Sequence, residues 1–194
     1  FRTEYGAPDF DKIKIEHYEP AFLKGIEEQN AEIKAIVESR ETPGFENTIV
    51  ALDNSGRTLA RVKGVFYALT EADTNDEMSA LSEKIAPVLS EHNDNIYLNQ
   101  DLYKRVAAVW QQEQEGKITL TTEQHRLLDR YYKAFIRSGA GLDAGKQNRL
   151  REINKELSTL AITFSNHVLN ENNAYRLVID NEAELALSLI HISE

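Results

Sequence analysis

Cysteine is absent from all 194 residues, which excludes disulfides and thiolate metal sites. Basic residues are in deficit: 22 Lys and Arg against 32 Asp and Glu give a net charge of -10. Such a chain has no basic stripe with which to neutralise nucleic-acid phosphates and little attraction for anionic membranes. Its charge serves solubility. No apolar run approaches the roughly 20 residues that a membrane-spanning helix needs, and no signal peptide is visible. The first residue is Phe1 rather than Met. A cytoplasmic chain, or a periplasmic one whose upstream signal has been removed, is therefore expected. There is no low-complexity segment and no linker long enough to divide the chain. The length suits one well-buried core or two small ones.

Catalytic motifs are missing as well. A His-Glu-x-x-His zinc helix needs two histidines four apart, and no two of His17, His92, His125, His167 and His191 are so spaced. There is no Gly-x-Ser-x-Gly elbow. Gly139-Ala140-Gly141 lies between two helical patterns rather than after a buried strand, so it reads as a turn and not a dinucleotide cradle.

What is present is helical periodicity. Residues 1–16 carry Gly6 and Pro8 without a sustained period and read as an extended arm. A first helix starts near Pro20 with the stripe Phe22, Ile26, Gln29, Ile33 and Ile36, and Glu41-Thr42-Pro43-Gly44 ends it. A second spans about 47–70, through Ile49, Leu52, Leu59, Val62, Phe66 and Leu69. Gly56 and Gly64 inside it point to close helix packing, or alternatively to a bend. Thr74 to Glu77 has the spacing of a capping box for a third helix, kinked at Pro87 and closed by Asn93-Asp94-Asn95. A fourth follows Asn99 and stops at Gly116; Thr121 and Gln124 box the start of a fifth, which ends at Ser138-Gly139. Asp143 caps a sixth and longest helix, to about Asn170, where Asn170 to Asn173 break it, with the cleanest period in the chain: Leu150, Ile153, Leu157, Leu160, Phe164 and His167/Val168. That three-four spacing suits an antiparallel hairpin or short coiled coil. Tyr175 to Asp180 alternates and is a short strand candidate. The fold class expected is all-α, a multi-helix antiparallel array with at most one short strand pair.

The candidate site residues have bland readings. His17, beside Glu16 and Glu19, is a helix-entry residue with a local hydrogen bond. His92 sits at a helix end, where imidazolium suits the dipole. His167 is a boundary residue of the sixth helix. Asp73-Thr74-Asn75-Asp76-Glu77 fails as a calcium loop, because Met78 stands where glycine and Lys84 where glutamate are needed. The cluster reads instead as a cap with dipole complementarity. Tyr131, Tyr132 and Trp110 are core aromatics rather than a peptide groove. No catalytic, cofactor-binding or metal-binding residue is assigned.

Several blocks carry a resemblance. They are Asp9 to Ile13 with His17 to Phe22; Phe45 to Gly56, continuing through Arg61-Val62 and Val65-Phe66 to Glu77; Asn95 to Trp110; and Arg137 to Ala140 through Asn154 to Leu157. In that order over residues 9–172 they resemble the amino-terminal part of a peptidyl-dipeptidase of the thimet-oligopeptidase-like zinc metallopeptidase family. The resemblance implies a helical lobe, residues 17–186, that walls a substrate channel opposite the lobe holding zinc. It implies short peptides and the missing catalytic lobe as partners, and zinc as the cofactor of the full-length parent. Nothing of the zinc site maps onto this chain, so the lobe is expected to be inactive alone and to self-associate through uncovered apolar surface. Residues 187–194, ending in His191-Ile192-Ser193-Glu194, depart from the family and are expected to be a foreign tail. A free-standing helical peptide-binding or interaction module remains the alternative.

Overall fold

In a computed structural model of the protein, residues 6–181 are described. The expectations for 187–194, His191 included, lie outside them. The helices are α1 (Tyr18–Glu38), α2 (Ala51–Asn54), α3 (Arg57–Ala72), α4 (Asp76–Tyr97), α5 (Gln100–Gln114), α6 (Thr122–Arg137) and α7 (Ala144–Ala174). Two 3-10 turns, Phe10–Lys12 and Ile15–His17, precede α1, and a wide π-helical run, Phe45–Val50, leads into α2. The fold is all-α: there is no strand among the described residues.

Three antiparallel pairs build the architecture. α1 lies against α3, with Tyr18 and Phe22 at one end meeting Phe66 edge-on at 5.1 and 5.3 Å. α5 lies against α6 through stacked Trp110 and Tyr132, centroids 4.6 Å apart. α4 lies against α7. Burial gathers into two clusters. One holds Tyr18, Phe22, Leu59, Phe66, Met78 and Ile85. The other holds Ile33, Ile36, Ile49 and Leu52 with Val106, Val109, Leu128 and Phe135. α1 contributes to both, its first half to the former and its last turns to the latter.

Local signals set most boundaries. Asn99 caps α5 by accepting from the backbone of Asp101 and Leu102, Thr121 and Gln124 form the reciprocal box of α6, and Asp143 accepts from Lys146 at the head of α7. Five expectations need correction. The 47–70 helix is broken: Gly56 stands at φ 70, left-handed, and redirects the chain between α2 and α3. The close-packing glycine is instead Gly25 of α1, where an added Cβ would lie 2.9 Å from the Leu59 backbone, whereas Gly64 faces open space. The cap of α4 is Asn75, not Thr74: its side chain accepts from Met78 N–H at 2.9 Å. Asn93–Asn95 and Asn170–Asn173 stay helical, because asparagine costs a helix interior only about 0.7 kcal/mol or less. Finally, residues 175–180 form no strand, having no neighbouring strand to pair with among the described residues.

The two glycines should respond oppositely to alanine. Gly25→Ala forces a side chain onto the Leu59 backbone and is expected to cost about 1–3 kcal/mol. Gly64→Ala fills open space in a helix interior and is expected to stabilise by up to about 1 kcal/mol. Urea unfolding of both variants checks the pair, and equal shifts of one sign would contradict this packing.

Candidate functional site

The break at Gly56 gathers polar groups from α1, α2 and α4. Ser55 closes α2 by donating its hydroxyl to the Leu52 carbonyl at 2.8 Å. The Gly56 N–H, left without a helical acceptor, donates to the Glu32 carboxylate of α1 at 2.7 Å. Gln29, one turn earlier on α1, donates its amide to Ser55 Oγ at 3.3 Å. The amide oxygen of Gln29 then faces His92 Nε2 of α4 at 2.8 Å. Because that oxygen can only accept, Nε2 carries a proton. Nδ1 is buried and makes no hydrogen bond to the described protein. Burial, and then the Lys63 charge, hold the His92 pKa below its ordinary value.

A cavity of about 400 Å³ opens beside this relay. Its charged lining is Asp53 and Lys63, and Leu52, Leu59 and Ile96 supply apolar wall. Asp53 accepts from Arg130 Nη2 at 2.9 Å and from the Tyr131 hydroxyl at 2.8 Å, which anchors α6 to α2. Burial and the neighbouring Asp53 carboxylate raise the Tyr131 pKa, so the phenol stays protonated and donates. The cavity offers one cation, one anion, amide and phenol groups and an apolar wall. It can hold a small polar or zwitterionic molecule, but it contains no nucleophile–base pair.

The other candidates disperse. His92 is 6% exposed and lies within α4 rather than at its end. A neutral buried ring cannot serve as an imidazolium dipole partner, and that expectation is corrected. His17 accepts the Lys14 N–H through Nδ1 at 3.1 Å, a local bond. His125 Nδ1 lies 2.7 Å from Glu113, and His167 is exposed on α7. Among the described residues no group of three or more His, Asp or Glu is gathered as metal ligands. The donor set present therefore does not fit a catalytic zinc, which takes about three protein ligands. Asp76 and Glu77 occupy the first turn of α4 behind the Asn75 cap. Gly139 to Gly141 is the turn between α6 and α7, where Gln147 donates to the Gly139 and Ala140 carbonyls, both at 3.3 Å. Trp110, Tyr131 and Tyr132 pack on the second core. Gln29 falls on the inward stripe of the first helix with no polar role marked, and Glu32, Asp53 and Lys63 carry no sequence signal of their own. The one available clue was Ser55-Gly56 interrupting a helical period.

Comparison with known proteins adds what geometry does not. No family model matches the chain. The dipeptidyl carboxypeptidase of Escherichia coli K12 is 41% identical over 182 residues, which cover 94% of this chain and 26% of that protein. Oligopeptidase A of Salmonella typhimurium is 29% identical over 184 residues, 95% of this chain and 27% of its own length. Saccharolysin of Saccharomyces cerevisiae is 27% identical over 135 residues, 70% of this chain. The chain thus spans about a quarter of the length of the first two relatives.

The His92 relay should write itself into the pH dependence of stability. Above its ordinary value of 6.5 the ring is neutral folded and unfolded. As pH falls below that value the unfolded chain takes the proton first, so stability is lost until the lowered folded pKa is reached. Buried Asp94, whose pKa is raised chiefly by burial, acts in the opposite sense: it loses stability as pH rises through its folded pKa. In His92→Gln the decline between about pH 7 and pH 5.5 should be shallower than in the unchanged chain. Urea midpoints across that range measure it, and superimposable profiles would remove His92 from the account.

Proposed function

The chain belongs to the thimet-oligopeptidase-like family that includes dipeptidyl carboxypeptidase and oligopeptidase A, and from that membership we propose that it forms the helical amino-terminal lobe of a peptidase acting on short peptides. The observation that carries the reading is the 41% identity to a dipeptidyl carboxypeptidase across 94% of the chain. In this reading residues 17–186 are the lobe, preceded by a segment whose Ile13 and Ile15 pack against the first core. The lobe walls a channel that admits short unfolded peptides, and bond cleavage belongs to the part of the full-length polypeptide outside this stretch. Zinc, if the full-length protein uses it, is held there and not by the residues described. The dipeptide-releasing branch is favoured over the oligopeptidase branch by the higher identity.

The cavity beside Gly56 supports a role in holding peptides. Lys63, polar groups and apolar side chains line it together, a mixture that suits a short peptide rather than a nucleic acid. Among the described residues no helix is long and apolar enough to cross a membrane. The absence of cysteine accords with either the cytoplasm or the periplasm, where this reading places the protein. A second reading, a free-standing peptide-binding module, is favoured by the two cores that close within residues 6–181. On the first reading the isolated chain self-associates through uncovered apolar surface, increasingly as salt screens its net charge of -10.

A release assay on a short blocked peptide separates the readings. The 194-residue chain is expected to release no dipeptide, with or without added zinc. A chimera in which this chain replaces the matched stretch of the E. coli relative is expected to release it. Dipeptide release by the chain alone, abolished by a chelator, would overturn the non-catalytic assignment. Tight peptide binding by the chain with an inactive chimera would favour the module.

A further inference from the structure

α7 is the anomaly of the fold. It is the longest helix, 31 residues, and none of them is buried. Its attachment to α4 is polar: Arg151 donates to Asn95 at 2.9 Å, Asn154 to buried Asp94 at 2.7 Å, and Asn166 to Glu83 at 2.9 Å. The apolar stripe Ile153, Leu157, Leu160, Phe164 and Val168 is left outside, with Leu157 57%, Leu160 54% and Phe164 70% exposed.

We infer that this stripe is a docking seam for a helix contributed by the sequence that lies outside the matched stretch in the full-length relatives. The inference rests on the peptidase reading and names the surface through which the lobe joins the remainder. Four observations converge. From Leu157 to Asn170 there is no Asp, Glu, Lys or Arg, in a chain that is 28% charged. Helix faces that stay in water carry charge, so a neutral, apolar, exposed face is one that is ordinarily covered. The spacing 153, 157, 160, 164 alternates four and three, the period of a helix–helix seam. The chain leaves α7 through Tyr175, Leu177 and Val178, apolar side chains that are likewise exposed. Lastly, consecutive elements usually pack side by side, and the relatives run on to about four times the matched length.

A second copy of this chain fits less well. Two copies, each with a net charge of -10, repel. A segment of the same polypeptide meets the seam at high effective concentration. The seam therefore takes an apolar helix in cis.

The test uses the chimera with the E. coli relative beside the 194-residue chain. In the chimera the amides of α7 should exchange about tenfold or more slowly than in the chain. A benzophenone side chain at position 164 should crosslink within one polypeptide, to the part derived from the relative. Leu157→Glu with Phe164→Glu should leave the urea midpoint of the 194-residue chain unchanged at low salt, yet abolish the added protection in the chimera. Crosslinking between two copies of the chimera, or α7 exchange equal in chain and chimera, would overturn the seam. Dipeptide release is scored separately. An inactive chimera with protected α7 keeps the seam and defeats the peptidase reading, whereas an active one with unprotected α7 does the reverse. If the chimera does not fold, the crosslinker is placed in the intact E. coli protein at the position aligned with Phe164, with the same outcomes deciding.

Discussion

The bond from the Gly56 N–H to the Glu32 carboxylate, 2.7 Å long, is the constraint on which the arrangement depends. α1 is one uninterrupted helix that serves two cores. The segment packed along it cannot also be one straight helix, because Ile49 and Leu52 belong to one core and Leu59 and Phe66 to the other. The chain must turn between them, and a turn inside a helix exposes backbone donors that water cannot reach. Glu32 and Gln29 of α1 satisfy the broken end, Glu32 at the backbone and Gln29 through Ser55. A side chain at position 56 would meet the Gln29 amide, so glycine is required there for space as well as for its positive φ.

Buried polar groups recur wherever one helix must be held at an angle that apolar packing alone would leave undefined. Arg105 of α5, 8% exposed, has no carboxylate partner; it donates to the Ser39 and Glu41 carbonyls just past the end of α1. That is a cation placed at a helix C-terminus, where the dipole favours it. Gln112, two turns on, donates to the Pro43 carbonyl at 2.8 Å, so α5 clamps the loop that follows α1. Asp94 fixes α7 on α4 at the cost of desolvation that a neutral Asn154 only partly offsets, as its raised pKa records. These contacts carry geometry more than stability.

The parts of the fold legible in the sequence are those governed by residues close in the chain. The caps at Asn99, Thr121 and Asp143 each act within three residues, and the corresponding helix starts follow from them. The Gly56 break was only half legible, since an interior glycine can serve packing or bending, and here Gly25 does the first and Gly56 the second. The site was not legible. His92 meets Gln29 across 63 residues, and Tyr131 meets Asp53 across 78. Nothing local marks a glutamine or an aspartate on a polar helix edge as the partner of a distant ring. The family blocks were legible because a long ordered series of short matches accumulates evidence that no single motif supplies.

The period of α7 teaches a separate point about what a hydrophobic pattern reports. It is the most regular in the chain, yet it belongs to the one long helix that buries nothing among the described residues. A pattern states that a face has been selected to leave water; it does not state what covers that face. Every other long helix finds its cover inside the described fold, in one of the two cores. The molecule is therefore closed on the side built by α1, α3, α5 and α6 and open on the side of α7. The open stretch, residues 157–170, carries no Asp, Glu, Lys or Arg, so what covers it is held by apolar packing rather than by local ion pairs. That asymmetry is the physical basis of the docking seam inferred for α7. It follows from burial and charge without reference to any relative, and it agrees with a chain that spans a quarter of the proteins it resembles.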